Sequence, residues 1–259
     1  MNKQDLNITL RRASWLLALF FSVAIIFSAV ERRDSSLVED VVVNIQSLED
    51  GNALISQKEV ELTIERSFGT QLEGLPLSTI DVERIERVLE EDPFVIDADV
   101  YIDSRSIVNI KIAQREPVLR IIDNNGLNYY LDKKGNKMPL SPHFAARVLV
   151  ATGNLPPHDP NFIKRKKNRL KEVFDLSNLI LADEFFKPLI EQIYVNNIGE
   201  FTLIPKVGDQ KILFGNYSNV NEKLENLKIF YQEGMPYEGW QKYRTISVKY
   251  KGQVVCEKR

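Results

Sequence analysis

Side chains suited to chemistry are few in this chain, and they are scattered. The 259 residues include two histidines, His143 and His158, each beside a proline in a loop-like stretch, with no second ligand-type residue four positions on. The single cysteine, Cys256, lies near the carboxy terminus and can form no disulfide within the chain. There is no Cys-x-x-Cys, His-Glu-x-x-His or Gly-x-Ser-x-Gly, and no glycine loop able to cradle a phosphate. Carboxylates are plentiful, yet Glu90-Glu91-Asp92 reads as the solvated end of a helix rather than an acid and base pair. This inventory implies no metal, no cofactor and no catalytic residue, and it points to binding. An anchored hydrolase would need titratable groups converging on a cleft, which so sparse a histidine and cysteine content does not supply.

Charge argues the same way. The net charge is −2, so no global field favours a nucleic acid. One basic run stands out: Lys164-Arg165-Lys166-Lys167, then Arg169 and Lys171. It is read here as the solvated face of a helix over 162–181, whose apolar face carries Leu170, Val173, Phe174, Ser177 and Leu181. Exposed aromatics interleaved with the cations would be needed to hold a single strand, and only Phe162 is near.

The most distinctive stretch carries no chemistry at all. Residues 13–30 hold no charge, and as a helix they span roughly 27 Å, against about 30 Å for a bilayer core. The run is longer than a signal-peptide core, and Ser28-Ala29-Val30-Glu31 makes a poor cleavage site. It therefore reads as an uncleaved single-pass helix after a short cytoplasmic tail, residues 1–12. Lys3, Arg11 and Arg12 precede it and Arg32 and Arg33 follow, a near balance that tips the amino terminus slightly inward.

Beyond the anchor the fold class is α+β. Val41, Val43 and Ile45 alternate as a half-buried strand. Ser56-Gln57-Lys58-Glu59 forms a capping box before a helix with Val60, Ile64 and Phe68 on one face. A second helix starts at Asp81, turns Val82, Ile85 and Leu89 inward, and stops before Pro93. Two strands follow, with Phe94, Ile96, Ala98, Val100 and Ile102 alternating before the Asp103-Ser104-Arg105 turn, and Val108, Ile110 and Ile112 after it. This β-α-α-β-β unit covers 38–116. Residues 117–259 form a β-rich domain with flanking helices. Its expected elements are a hairpin of 118–122 and 127–131 with Asn125-Gly126 supplying positive φ, strands over 192–196, 200–205 and 211–214, a helix over 220–232, and a closing hairpin of 245–250 and 253–257.

In this order the elements resemble the FtsQ/DivIB cell-division family. The sequence from Ile85 through Pro93 to Val100 is similar to the second helix, proline and strand of its POTRA domain, and Arg115-Glu116-Pro117-Val118 to its domain border. Tyr130-Leu131-Asp132-Lys133-Lys134-Gly135 resembles its hydrophobic-Asp-x-x-Gly turn. Ile212-Leu213-Phe214-Gly215-Asn216, followed by Lys223-Leu224-Glu225-Asn226-Leu227, resembles its strand ending in glycine and Lys-Leu helix. The chain departs from the family at Ile246-Ser247, where Ile/Val-Asp is common, and at Gln46-Ser47, which lacks the usual glycine.

The resemblance implies a non-enzymatic scaffold of the divisome in the cell inner membrane at the septum. It would link cytoplasmic and extracytoplasmic division proteins and recruit an FtsB/FtsL pair. It implies partner binding along the last strand, on Tyr250, Lys251, Gly252, Gln253, Val254, Val255 and Cys256. Physically, such an edge offers unpaired backbone groups to an extended segment. On that reading proline at Val255 removes a donor the partner uses, and the helix carrying Lys223, Leu224 and Leu227 is the next surface to consider. The alternative is a single-pass POTRA chaperone of an outer-membrane or secretion pathway, with a barrel-forming carboxy-terminal region.

Overall fold

The computed structural model describes Trp15, Leu17, residues 19–23 and residues 36–259. The expected anchor over 13–30 therefore lies for the most part outside the described residues. Of it, Trp15, Leu17 and residues 19–23 are helical and exposed. Among the described residues no helix is long and apolar enough to cross a membrane. The chain divides into two units, Met1–Gln114 and Arg115–Arg259.

In the first unit, strands β1 (Asp40–Gln46), β2 (Val95–Ile102) and β3 (Ile107–Gln114) form a sheet of order β1-β3-β2. β1 runs parallel to β3, and β2 antiparallel. Helices α1 (Gln57–Phe68) and α2 (Val82–Glu90) cover one face. Both begin where their caps dictate. The Glu59 N–H donates to Ser56 Oγ at 3.3 Å while the Ser56 N–H donates to a Glu59 carboxylate oxygen at 2.9 Å, which satisfies two otherwise orphaned donors. Asp81 accepts from the Arg84 N–H at 3.0 Å. Val60, Ile64, Ile85 and Leu89 then pack on Ala98, Val100, Val108, Ile110 and Ile112.

The second unit is a nine-stranded sheet. Its strands are β4 (Pro117–Asp123), β5 (Asn128–Asp132), β6 (Lys137–Met138), β7 (Leu149–Gly153), β8 (Ile190–Val195), β9 (Phe201–Pro205), β10 (Lys211–Gly215), β11 (Tyr243–Ser247) and β12 (Val255–Lys258), in the order β12-β11-β10-β9-β8-β7-β4-β5-β6. β4, β7 and β8 are mutually parallel, as are β10 and β11. Helices α3 (Arg169–Ala182), α4 (Phe186–Leu189), α5 (Val220–Ile229) and α6 (Met235–Glu238) complete it. Leu170, Val173, Phe174, Leu176 and Ile180 of α3 and Leu224 and Leu227 of α5 share one core with Leu119, Ile121, Ile193, Leu203, Ile212 and Ile246 of the sheet.

Four departures from the sequence reading have identifiable physical causes. β7 was not expected, because Leu149–Gly153 is a short apolar run after a proline-rich loop; yet it lies between β4 and β8 at the heart of the parallel part. The helix expected over 162–181 begins only at Arg169, after a 3-10 turn at Phe162–Lys164, because the Asn168 side chain accepts from the N–H groups of Leu170 and Lys171 and starts a new helix. Residues 165–167 are therefore loop. The helix expected over 220–232 ends at Ile229 and passes through a π-helical turn, Phe230–Gly234, into α6. At the β4–β5 turn only Gly126 takes positive φ, at 83°; Asn125 does not.

The reason is a five-residue turn that recurs four times, at Asp103, Asp123, Asp132 and Asn196. In each, the first residue's side-chain oxygen accepts from the N–H groups two and four positions on. Its carbonyl accepts from the N–H three positions on, and its own N–H donates to the carbonyl of the fifth residue. The fourth residue must take positive φ. It is Gly126, Gly135 and Gly199 in three cases and Ser106, at 63°, in the other. One side chain thus replaces the φ demand that a two-residue turn would place on a second residue.

Candidate partner-binding edge

β12 is the last strand of the sheet and, among the described residues, pairs only with β11, antiparallel, with Ser247 opposite Val255, Ile246 opposite Cys256 and Thr245 opposite Glu257. The register then slips by one, so that Tyr243 faces Lys258. The Arg259 N–H donates to the Lys242 carbonyl at 3.2 Å. Because backbone groups alternate direction along a strand, this bond sets the phase: Val255 and Glu257 turn theirs toward β11, while Cys256 and Lys258 turn theirs outward. The slip places Arg244 and Thr245 together against Glu257, a β-bulge on β11 that leaves the alternation of β12 intact.

Side chains along this strand follow the opposite count. Val255 is 47 % exposed, Cys256 is half-buried against the core, and Glu257 and Lys258 are exposed. Burial raises the Cys256 thiol pKa, which keeps it in the unreactive thiol form. Glu257 accepts from Thr245 Oγ1 at 3.2 Å across the pair. Arg259 reaches Asp209 at 3.1 Å. Lys258 has no side-chain partner among the described residues. Trp240, two residues before Lys242, is 42 % exposed and packs on the buried Tyr231 at 5.6 Å between ring centroids.

Of the seven residues expected to bind, only Val255 and Cys256 lie on the strand. Tyr250, Lys251 and Gly252 are turn, and Gln253 and Val254 join the turn to β12. The closing hairpin is thus Tyr243–Ser247 and Val255–Lys258, displaced from the expected 245–250 and 253–257. The connection is held by Lys249 on Glu200 at 2.6 Å and by the Gly252 N–H on Glu222 at 3.2 Å. Lys258 was missed. A strand this short leaves its phase unspecified by pattern, and one residue of slip exchanges the two faces.

Two other expectations change. Val255 directs its N–H inward, so proline there breaks the sheet's own ladder. Lys223, Leu224 and Leu227 form no surface, being 6, 8 and 0 % exposed. The Lys223 ammonium donates to the Asn216 carbonyl at 2.8 Å and lies over the Phe214 ring. Burial lowers its pKa. It ties the start of α5 to the end of β10, which fixes the crossover delivering β11.

The sheet's far edge is less inviting. β6 has two residues and runs into Pro139, which cannot donate to a ladder. His158 Nε2 contacts the Gly135 carbonyl at 3.2 Å and its ring packs between Tyr129 and Phe162. Among the described residues no three histidine, cysteine or acidic side chains gather as a metal site.

The family model for FtsQ/DivIB, C-terminal related, matches residues 116–257, more than half of the chain, and that for the POTRA-like domain matches 37–113. The chain belongs to the FtsQ/DivIB family. No curated protein matches it. FtsQ/DivIB proteins are non-enzymatic, membrane-associated division proteins of the septum, and the two matched regions meet close to where the chain divides into its two units, between Gln114 and Arg115.

Proposed function

We propose that this protein is a bitopic divisome scaffold that recruits an FtsB/FtsL-like pair by adding an extended partner segment to the free edge of β12. Residues 13–30 would hold it in the inner membrane, with the tail cytoplasmic and both folded units, 38–116 and 117–259, outside. One observation carries the partner reading: the backbone groups of Cys256 and Lys258 face away from β11, and among the described residues no tenth strand meets them. An added strand would satisfy these groups at little conformational cost, since β12 is already extended. Trp240 offers an apolar seat for one of its side chains, near the Lys242 carbonyl that receives Arg259.

Lys258→Pro tests the mechanism, because it removes an outward donor from an exposed position. Full-length protein should lose co-purification of the FtsB/FtsL pair while keeping its circular-dichroism spectrum, and Lys258→Ala should retain most of the recruitment. A folded Lys258→Pro protein that recruits as well as the unaltered chain would overturn edge pairing. For the anchor, a reporter active only outside the cytoplasm, fused after Arg259, should be active, and the purified protein should retain residues 1–30.

A further inference from the structure

A second surface of the carboxy-terminal unit, at the carboxyl ends of the parallel strands β4, β7 and β8, has the chemistry of a peptide site. An open cleft of about 600 Å³ lies there, lined by Asn125, Asn154, Lys167, Arg169, Asn197 and Ile198 among others. Lys167 and Arg169 of the basic run line it, Lys164 and Lys166 lie on the segment that leads into it, and the run's cations divide into two groups. Arg165 pairs with Asp159, Arg169 with Glu172 and Lys171 with Asp175. Lys164, Lys166 and Lys167 are exposed and have no partner among the described residues. The paired cations hold the loop and the first turns of α3. Of the unpaired three, Lys164 ends the 3-10 turn and Lys166 and Lys167 lie on the loop before α3, and together they concentrate positive charge on a chain whose net charge is −2.

The remaining lining is not that of a bare anion site. Asparagine amides both donate and accept, as a peptide backbone does: Asn154 Nδ2 donates to the Asn197 carbonyl at 3.4 Å, which leaves the Asn154 Oδ1 and the Asn197 side chain to a ligand, and Ile198, 79 % exposed, supplies an apolar rim. The first N–H groups of α3 already bond Asn168, so the helix end is not what would attract a ligand. We infer that this cleft and the exposed segment leading into it bind an extended acidic segment of a partner protein, its carboxylates on Lys167 in the cleft and on Lys164 and Lys166 beside it, and its backbone amides on Asn154 and Asn197. This site is separate from β12 and independent of the reading given to that edge.

The test uses full-length protein in detergent micelles and a fluorescein-labelled peptide of about ten residues alternating Glu and Thr, with its Gln-for-Glu counterpart as control, read by anisotropy. The acidic peptide should bind and the control should not. Neutralising Lys164, Lys166 and Lys167 together to Gln should weaken binding about tenfold, each exposed pair being worth a fraction of that. Asn154→Leu/Asn197→Leu, which keeps every cation, should weaken it by a similar factor. Equal binding by the triple variant, equal binding of the Gln peptide, or no effect of the asparagine changes would overturn the proposal. Displacement of the peptide by millimolar inorganic phosphate would also overturn it, making the cleft a simple anion site.

Discussion

Arg259 reaches back to Lys242, its N–H on that carbonyl at 3.2 Å, and so fixes which backbone groups of the final strand face the sheet and which face outward. The consequence is a pair of prolines with opposite effects. Val255→Pro removes a bond to β11 opposite Ser247. It should lower stability by about 1–3 kcal/mol, with loss of amide protection over β11 and β12 in hydrogen exchange. Lys258→Pro should leave that protection nearly unchanged. Equal destabilisation by the two would mean that the phase is wrong.

Asp132 gives an acid-sensitive contribution to stability. Its carboxylate is 3 % exposed, receives Arg115 at 3.1 Å, and accepts from the backbone of Lys134 and from both the backbone and side chain of Asn136. Burial pushes its pKa up, but these donors outweigh burial and hold it below the ordinary carboxylate value. A depressed folded pKa means that the stabilisation is complete above the unfolded value of about 3.9 and is lost as pH falls through the lower folded value. Asp132→Ala should therefore cost about 2–4 kcal/mol at neutral pH, because the largely buried Arg115 side chain loses this carboxylate. Denaturant titrations should show that gap narrowing only below about pH 4.

Ser106 occupies the position that the other three five-residue turns give to glycine, with φ at 63°. An L side chain pays about 1–2 kcal/mol there, partly offset by the greater unfolded freedom of glycine. Ser106→Gly should stabilise the protein by roughly 0.5–1 kcal/mol, read as a rise in the denaturation midpoint. A fall would show that the Ser106 side chain contributes more than its backbone costs.

The first unit was legible in its elements, because each announces itself locally, but not at the start of β2, where a register slip between Val95 and Asp97 buries Val95 and exposes Ile96 against the expected alternation. The Ser56–Glu59 box, the Asp81 cap and the alternation of Val100 and Ile102 need no tertiary information. The second unit was harder, since its parallel strands owe their placement to partners far along the chain. Nothing around Leu149–Gly153 distinguishes a central strand from a loop until β4 and β8 flank it. The last strand was legible as a sheet edge, but its phase was not, because it depends on one bond from Arg259 and one bulge at Arg244. The loop character of Lys166 and Lys167 was hidden by an apolar repeat that starts just after them, at Leu170.

Gly153 ends β7 at φ 102°, and a Cβ built there would lie 2.1 Å from the Val195 carbonyl oxygen of β8. That distance is far inside van der Waals contact, and the obstacle is backbone, so no side-chain rotation relieves it. The same carbonyl accepts from the Asn154 N–H at 2.9 Å, so displacing it also breaks the bond that turns the chain out of β7. Gly153→Ala should cost about 2–4 kcal/mol, from positive φ and forced separation of β7 from β8 together. Gly51→Ala is the control, having positive φ at 80° but nothing within 4 Å of the added carbon. It should cost only the backbone share of about 1 kcal/mol. If the two substitutions shifted thermal unfolding equally, the close approach of β7 to β8 would not be what requires glycine at position 153.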